Sequence, residues 1–259
     1  MGSLAGKSPA NTYKSLLKVA DETSGITSSA SNIEDGEGTA SCTSIGTRSL
    51  KVTPTANTTT TFEVENASGT NILTVDTTNS CVKTGTAQTY ANTQILDFSA
   101  YRLVPVAGTH YFVPCSSGAF TSPLAELANG TGTDPATTLD AGASTDELVN
   151  MLFLAPYNLT IDGVKFMVST DTDTDTTVNV HLYKFTMTNA GGTSDGNLTS
   201  GTLLANGQAT SVDRNVLKTV SASIDSSSVS ADEVIACFVE NVTNTDDINI
   251  RVQVKYHIA

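Results

Sequence analysis

The sequence predicts an all-β protein, and three observations support this fold class. In residues 62–83, apolar and polar residues alternate and two polar turns interrupt the alternation, a pattern typical of hairpins. Residues 248–258 alternate without a break, as expected of a strand with one buried face and one wet face. The 259-residue chain also contains 42 threonines, whose β-branched, half-polar side chains suit such strands.

The net charge of −13 is unevenly distributed along the chain. Residues 1–120 carry 7 basic and 9 acidic groups, whereas residues 121–259 carry 6 basic and 17 acidic groups. An acidic field repels phosphate, so we expect no binding to nucleic acid. The asymmetry indicates a neutral end that docks and an acidic end that faces solvent, although an acidic surface also serves solubility alone.

The four cysteines, Cys42, Cys81, Cys115 and Cys237, stand far apart and form no CxxC pair. This spacing does not resemble a disulfide framework, so we expect free thiols and a reducing cytoplasm as the place of synthesis. The first residues lack an apolar run long enough for a signal peptide, and no stretch reaches 18 apolar residues. We therefore expect no membrane insertion.

The pattern divides the chain into three regions. Residues 1–50 are a predicted docking arm, residues 51–120 a small β-hairpin region, and residues 121–259 a C-terminal β-sandwich that is jelly-roll-like. The segment 128–145 is rich in Gly, Thr and Asp and marks a domain boundary or a long surface loop. A layer as small as the strands predicted in residues 50–90 buries too little apolar area to be stable alone, which favours an oligomer.

The predicted docking arm contains one small apolar cluster, formed by Tyr13, Leu16, Leu17 and Val19. Serine, threonine, glycine and acidic residues surround this cluster, so the segment cannot build a core of its own. We expect these four side chains to dock on a neighbouring subunit rather than to form part of a plain flexible tail.

The hairpin unit of residues 62–83 resembles hairpins in the shafts and connectors of bacteriophage fibre-like virion proteins. Residues 196–207, 229–239 and 254–258 resemble sandwich modules of phage structural proteins, notably those of marine phages. The arm around Tyr13–Val19 and Glu34–Ala40 resembles the N-termini of the same proteins. The resemblance implies a virion component without deciding which one, and we expect a capsid decoration protein or a short fibre component. It also implies a homotrimer that assembles in the host cytoplasm, has other capsid or tail proteins as partners, and is located in the virion.

Two other functions stay open beside this one. A receptor-binding tail fibre would recognise a host surface glycan or protein, and a glycan-cleaving appendage would need two carboxylates that converge in a groove. A bacterial surface adhesin is disfavoured because no signal peptide is present. The sequence does not decide between head and tail attachment. It contains no nucleophile elbow and no activated cysteine, so we expect no catalytic residues, no enzymatic activity and no cofactor.

The motif Asp171-Thr172-Asp173-Thr174-Asp175 presents three carboxylates close together. An EF-hand loop needs Gly at its sixth position and Glu at its twelfth, where this chain has Thr176 and Leu182. A simpler calcium loop stays open, but the interpretation that we prefer is an acidic hairpin tip.

The three histidines, His110, His181 and His257, have no second His or Cys at the spacing of metal ligands. His181 and His257 fall on predicted strands and can meet in space, yet a metal site would also need carboxylates there. We therefore predict ordinary histidines and no metal site.

Tyr183 and Phe185 share one face of a predicted strand whose other face is also apolar. Since one face of that strand packs in the sandwich, the second face is available for a partner. We expect Tyr183 and Phe185 to contact a neighbouring subunit or a ligand.

Overall fold

A computed structural model describes residues 16–21, 23–87, 89–115, 127–140, 148–188 and 196–259. All named secondary-structure elements in these residues are β-strands, which confirms the predicted all-β class. The chain forms two compact units, Met1–Ala91 and Asn92–Ala259. In the described residues no helix is long and apolar enough to cross a membrane.

The first unit contains two antiparallel sheets of four strands each, and each sheet follows chain order. The strands of the first sheet are β1 (Lys18–Val19), β2 (Ser31–Glu34), β3 (Ala40–Gly46) and β4 (Ser49–Val52). The strands of the second sheet are β5 (Phe62–Glu65), β6 (Asn71–Asp76), β7 (Cys81–Thr84) and β8 (Thr89–Tyr90). Strands β5, β6 and β7 and the two turns between them lie where the alternation in residues 62–83 predicts hairpins.

The turn between β5 and β6 forms where the sequence predicts it. The Asn66 side-chain oxygen accepts hydrogen bonds from the backbone N–H groups of Ser68 (3.0 Å) and Thr70 (2.9 Å). Gly69 has a φ of 77°, a conformation that glycine adopts without steric cost. The chemistry of the turn therefore sets the register of this hairpin.

The turn between β6 and β7 is held by Asp76, whose side chain is inaccessible to solvent. Its carboxylate accepts hydrogen bonds from the Asn79 backbone N–H (2.9 Å), the Asn79 side-chain amide (2.8 Å) and Lys83 Nζ (2.9 Å). These bonds, led by that of the Asn79 side chain, lower the pKa of Asp76 from 3.8 to about 2. The ionised carboxylate thus stabilises the folded hairpin.

Acidification is expected to loosen this hairpin. Because the folded pKa of Asp76 is lowered, its contribution is complete above pH 3.8 and is lost as the pH falls toward about 2. NMR spectra recorded during an acid titration should show the amide signals of β6 and β7 losing dispersion across this interval. Asp76→Asn should weaken the hairpin already at pH 7, whereas Glu65→Gln, an exposed carboxylate on β5, should not. An Asp76→Asn hairpin as resistant to amide exchange as the parent would contradict this role.

The second unit is a sandwich of two antiparallel sheets. Its strands are β9 (Thr93–Leu103), β10 (His110–Val113), β11 (Leu152–Leu154), β12 (Leu159–Thr170), β13 (Thr176–Met187), β14 (Leu198–Val212), β15 (Lys218–Ser221), β16 (Ser223–Ile224), β17 (Ser228–Val229), β18 (Glu233–Asn241) and β19 (Ile248–Ile258). One sheet has the order β10-β18-β13-β14-β16, with β11 also paired to β18. The other has the order β15-β12-β19-β9, with β17 also paired to β12.

Eight strands of the second unit form four nested antiparallel pairs, as they would in one long hairpin that is folded into two sheets. The outermost pair is β9 with β19, followed by β10 with β18, β12 with β15, and finally β13 with β14. Successive pairs lie alternately in the two sheets, apart from the short strands at their edges. This arrangement is the topology of a jelly roll, so the predicted jelly-roll-like sandwich is present.

The main core lies between the two sheets. Strand β19 shows how it is built: Ile248, Ile250, Val252 and Val254 are buried, while Arg251 and Gln253 point to solvent. The bounds and the facing of this strand agree with the prediction from alternation.

The sandwich begins earlier than the sequence indicates. Strands β9 and β10 belong to its two sheets, so the boundary between the units lies after Ala91 and not at residue 120. Of the predicted linker 128–145, the described part packs on the sandwich: Ala128 bridges to Tyr111, and Leu139 to Leu198. The assignment of residues 51–120 to a separate hairpin region is therefore corrected. The boundary lies earlier because β9 pairs along the length of β19 and so belongs to a sheet of the sandwich.

The acidic motif is not at a hairpin tip. It connects β12 to β13, which lie in different sheets and are not paired with each other. Asp173 accepts two hydrogen bonds from Arg214, at 2.7 and 2.6 Å. Asp171 accepts one from the backbone N–H of Asp247 at 3.0 Å. These two carboxylates join neighbouring loops of the sandwich.

Candidate functional site

The sheet that contains β10, β18, β13 and β14 is covered on both faces. Its inner face forms the main core, and its outer face forms a second core. The members of this second core are Phe112, Leu148, Met151, Tyr183, Phe185, Leu198, Val234, Ala236 and Phe238, with Leu127 and Leu139 packed against them. We call residues 127–140 the covering segment, because they lie over this outer face.

Tyr183 and Phe185 are buried in the second core, with 4% and 0% of their surfaces exposed. They stack on each other at 5.8 Å between ring centroids and meet Phe238 edge-on. The expectation that these side chains contact a neighbouring subunit or a ligand is corrected, because the chain's own residues occupy that face.

The covering segment is attached to two strands by backbone hydrogen bonds. The N–H of His110 donates to the carbonyl of Gly130 at 3.0 Å, and the N–H of Asn129 donates to the carbonyl of His110 at 2.8 Å. At its other end, Leu139 and Leu198 exchange two hydrogen bonds of 2.9 Å. The segment therefore closes over the end of the sheet where β10, β18 and β13 lie side by side.

Three buried ionisable side chains meet beneath the covering segment. His110 comes from β10, Glu240 from β18 and His181 from β13, and their exposed fractions are 0%, 5% and 6%. Their potential ligand atoms all lie within 4.8 Å of one another. His110 is paired with Glu240 across neighbouring strands. On its other side, Glu240 is paired with Asn179 of β13, and His181 lies two residues after Asn179. Residues two apart on a strand share a face, so the sheet register brings all three together.

His110 is held in one orientation. Its Nε2 lies 3.0 Å from the carbonyl oxygen of Gly132, and a carbonyl oxygen only accepts hydrogen bonds. In the neutral ring, Nε2 therefore carries the proton and Nδ1 carries the lone pair. His110 Nδ1 is buried and has no hydrogen-bond partner among the described residues.

His181 is packed edge-on against His110, with 5.0 Å between ring centroids. Neither of its ring nitrogens has a hydrogen-bond partner in the described residues, and Asp134 Oδ1 approaches Nδ1 to 3.5 Å. Burial lowers the pKa of His181 from 6.5 to about 4, with His110 as a second cause. The ring is thus neutral at physiological pH and has an unshared lone pair.

Glu240 is fixed by a row of amide side chains. Asn179 Nδ2 donates to Glu240 Oε2 at 2.8 Å, and Gln208 Nε2 donates to Asn179 Oδ1 at 2.8 Å. In the described part of the chain, no lysine or arginine forms an ion pair with Glu240. Two imidazoles and a carboxylate at this separation form a donor set that transition metals bind.

Spacing in the sequence did not reveal this site, because its residues come from three separate strands. The suggestion that His181 meets His257 is wrong. His257 lies on β19 in the other sheet, where its Nδ1 is 2.9 Å from Asp162 Oδ1. The sequence did contain one signal for this site. Asn179 and His181 are polar, yet they lie on the same face of β13 as the aromatic residues Tyr183 and Phe185.

The first unit presents a different feature, an exposed apolar face. Cross-strand register aligns Phe62 with Val75 and Val75 with Val82, while Val64 aligns with Leu73. We call these five residues the apolar face of the second sheet. The exposed fractions of Phe62, Val64 and Val82 are 42%, 42% and 39%.

The predicted docking arm is only partly described. Tyr13 lies outside the described residues. Leu16 and Leu17 are exposed, and Val19 is half-buried on β1. Their docking on a neighbouring subunit stays a prediction.

An apolar pocket lies beside the second core. Its lining consists of Leu148, Val149, Leu152, Leu154, Met187, Gly196 and Val234. Among the described residues, this lining contains no ionisable side chain.

No protein-family model matches this chain, and no curated protein matches it significantly. Among solved structures, an aminopeptidase from the marine sediment archaeon Thaumarchaeota archaeon is 10% identical, over 72% of this chain and 38% of that chain, with a TM-score of 0.30. A CocE/NonD family hydrolase from Staphylococcus aureus is 9% identical, over 69% and 36%, with a TM-score of 0.27. A chain of the T13 viral particle of infectious bursal disease virus is 9% identical, over 69% and 42%, with a TM-score of 0.20.

This chain spans less than half the length of each of these three proteins. At TM-scores of 0.30 and below, none of the similarities supports an inference about activity.

Proposed function

We propose that this chain is a structural protein of a bacteriophage particle, a capsid decoration or short fibre component that assembles from several copies. One observation carries the proposal. In the described part of the first unit no apolar side chain is buried, whereas Leu17, Leu50, Phe62 and Ile72, among others, are exposed. A folded region with this distribution gains stability when its apolar surface meets another subunit.

The apolar face of the second sheet is the part of the first unit that best fits such a contact. Full burial of a Val or Phe side chain stabilises by about 1.5–3 kcal/mol, and roughly half of that is still to be gained at half-exposed positions. Phe62, Val64 and Val82 together would supply a few kcal/mol per chain in an assembly. The hairpins of this sheet resemble those of phage fibre-like proteins. Because that resemblance implies a homotrimer, we propose that the assembly is a trimer.

The second unit fits the role of the projecting part. Jelly rolls occur in viral capsid and lectin domains, which is compatible with a decoration protein as well as with a receptor-binding fibre. The acidic groups concentrated in residues 121–259 suit a surface that faces solvent.

The mass of the purified chain in solution tests the assembly. Light scattering coupled to size exclusion should give about three times the chain mass of 26.9 kDa. The double variant Phe62→Glu/Val82→Glu places charge on the apolar face and should shift the mass toward that of one chain. Leu217→Glu, a similar change at a 67% exposed position of the second unit, should leave the mass unchanged. A parent protein that is monomeric at all concentrations would contradict self-assembly.

The location in a particle needs a separate experiment. Immunogold electron microscopy, with antibodies against this chain and purified particles of a phage that encodes it, should show label on the particle. Label on the head supports capsid decoration, whereas label on the tail supports a fibre that reaches a host receptor. Particles without label, in a preparation where the chain is detected only in the lysate, would overturn the virion assignment.

A further inference from the structure

We propose that His110, His181 and Glu240 bind one Zn²⁺ ion, which fastens the covering segment to the jelly roll. The ligands are Nδ1 of His110, one ring nitrogen of His181 and the carboxylate of Glu240. Two imidazoles and one carboxylate are a donor set that Zn²⁺ takes in proteins. This site is independent of the proposed self-assembly, because it lies entirely within the second unit.

His110 is oriented in the way that is common for metal-binding histidines. Metal-binding histidines commonly donate the proton of their second nitrogen to a carbonyl or a carboxylate, which fixes the tautomer. His110 has this arrangement, since its Nε2 is bonded to the carbonyl of Gly132 at 3.0 Å. The opposite nitrogen, Nδ1, is fully buried without a partner among the described residues.

Without an ion, the three side chains destabilise the folded state. Buried polar atoms without hydrogen bonds are rare, and each destabilises the folded state. Three buried imidazole nitrogens have no hydrogen bond within the described residues: one on His110 and two on His181, where Asp134 Oδ1 stands 3.5 Å from Nδ1. Glu240 adds a buried carboxylate without a cationic partner in the described residues. A divalent cation between them would use the lone pairs and balance the charge.

The ligand atoms are nearly as close together as those of a zinc site. Ligand atoms of a tetrahedral Zn²⁺ site are about 3.3 Å apart, given metal–ligand distances near 2.0–2.1 Å. The present separations are no more than 4.8 Å, so the ligand atoms lie within about 1.5 Å of that spacing. Asp134, 3.5 Å from His181 Nδ1, is placed to orient that ring as a positioning residue.

The choice of Zn²⁺ follows from the donors. Calcium and magnesium take oxygen ligands, which two of these three groups do not offer. Imidazole together with carboxylate suits zinc and its neighbours in the first transition row. Three protein ligands, two His and one Glu among them, are also the set of catalytic zinc sites, where the fourth position is open to water or substrate. Here all three groups are buried beneath the covering segment, and this burial is the reason that we assign a structural ion.

The test uses the full-length chain, without an affinity tag, after chelator treatment and dialysis. Titration with ZnCl₂ followed by elemental analysis should give one Zn²⁺ per chain. At a free Zn²⁺ concentration 100 times the dissociation constant, the folding equilibrium constant should rise about 100-fold, seen as an increase in the melting temperature. A protein that retains no zinc and melts at an unchanged temperature would overturn the proposal.

Matched variants locate the ion. Glu240→Gln keeps the volume of the side chain and should abolish stoichiometric binding, as should His181→Gln. Asp134→Asn should weaken binding by about 10–100-fold without abolishing it. His257→Gln changes a histidine of the other sheet that also faces a carboxylate, and should bind zinc like the parent. Equal binding by Glu240→Gln and the parent would place the ion elsewhere.

X-ray absorption of the zinc-loaded parent keeps the proposal testable even if a variant fails to fold. The spectrum should fit two imidazole ligands with the remaining ligands oxygen. Sulfur in the first coordination shell would assign the zinc to cysteines and contradict the site.

Discussion

Replacing Phe238 with alanine is expected to lower the free energy of unfolding of the second unit by about 3–5 kcal/mol. The side chain is fully buried in the second core. Its ring lies 4.4 Å from that of Phe112 and about 6 Å from those of Tyr183 and Phe185, measured between centroids. Alanine would leave a cavity lined by three aromatic rings on β-strands, which cannot collapse to fill it.

Denaturant unfolding with circular dichroism measures this loss, and Tyr157→Ala provides the matched control. Tyr157 is an aromatic residue of the same unit with 60% of its surface exposed, so its truncation should change the free energy by no more than about 0.5 kcal/mol. A loss below 1 kcal/mol for Phe238→Ala would show that the second core contributes little to the stability of the jelly roll.

A single methyl group at Gly201 is expected to detach the covering segment and to destabilise the second unit by about 3 kcal/mol, the upper end of overpacking costs. A Cβ at this position would lie 2.6 Å from the Phe185 ring and 2.7 Å from Thr137 Cα, closer than real contacts allow. The N–H of Gly201 also donates to the Thr137 carbonyl at 2.8 Å. Because Thr137 presents backbone atoms on the covering segment, rotation of a side chain cannot relieve the overlap.

Hydrogen exchange distinguishes local detachment from general unfolding. In Gly201→Ala, the amides of Leu139 and Leu198, which are bonded to each other's carbonyls, should exchange much faster than those of β19. Gly163→Ala is the control, because a Cβ there would meet no atom within 4 Å. Unchanged protection of Leu139 in Gly201→Ala would mean that the segment is held by other contacts.

Local sequence patterns were enough to predict the positions of several strands and turns. Strand β19 has the predicted bounds because its alternation is regular over eleven residues. The hairpin of β5 and β6 also has its predicted place, since Asn66 and Gly69 favour this turn whatever lies around it. Such features depend on interactions within a few residues, which are visible in a single sequence.

Long-range pairing was not available from these patterns. Nothing local shows that β9 pairs with β19, whose residues lie about 150 positions later in the chain, and so the boundary of the sandwich was placed too late. Because β13 is apolar on both faces, its sequence correctly indicated that both faces are covered. They did not show that the covering residues come from the chain itself, which is why Tyr183 and Phe185 were assigned to an external contact.

The sequence by itself determined the all-β class, the alternation of most strands, the hairpin turns of the first unit and the acidic character of the second half. Only the tertiary structure decided the jelly-roll order, the second core and the meeting of His110, His181 and Glu240. The physical reason is that side-chain alternation decides which face a residue takes, while neighbours across a sheet are decided by register between distant strands. Here that register aligns β10, β18 and β13, and places three metal-binding side chains on one buried face.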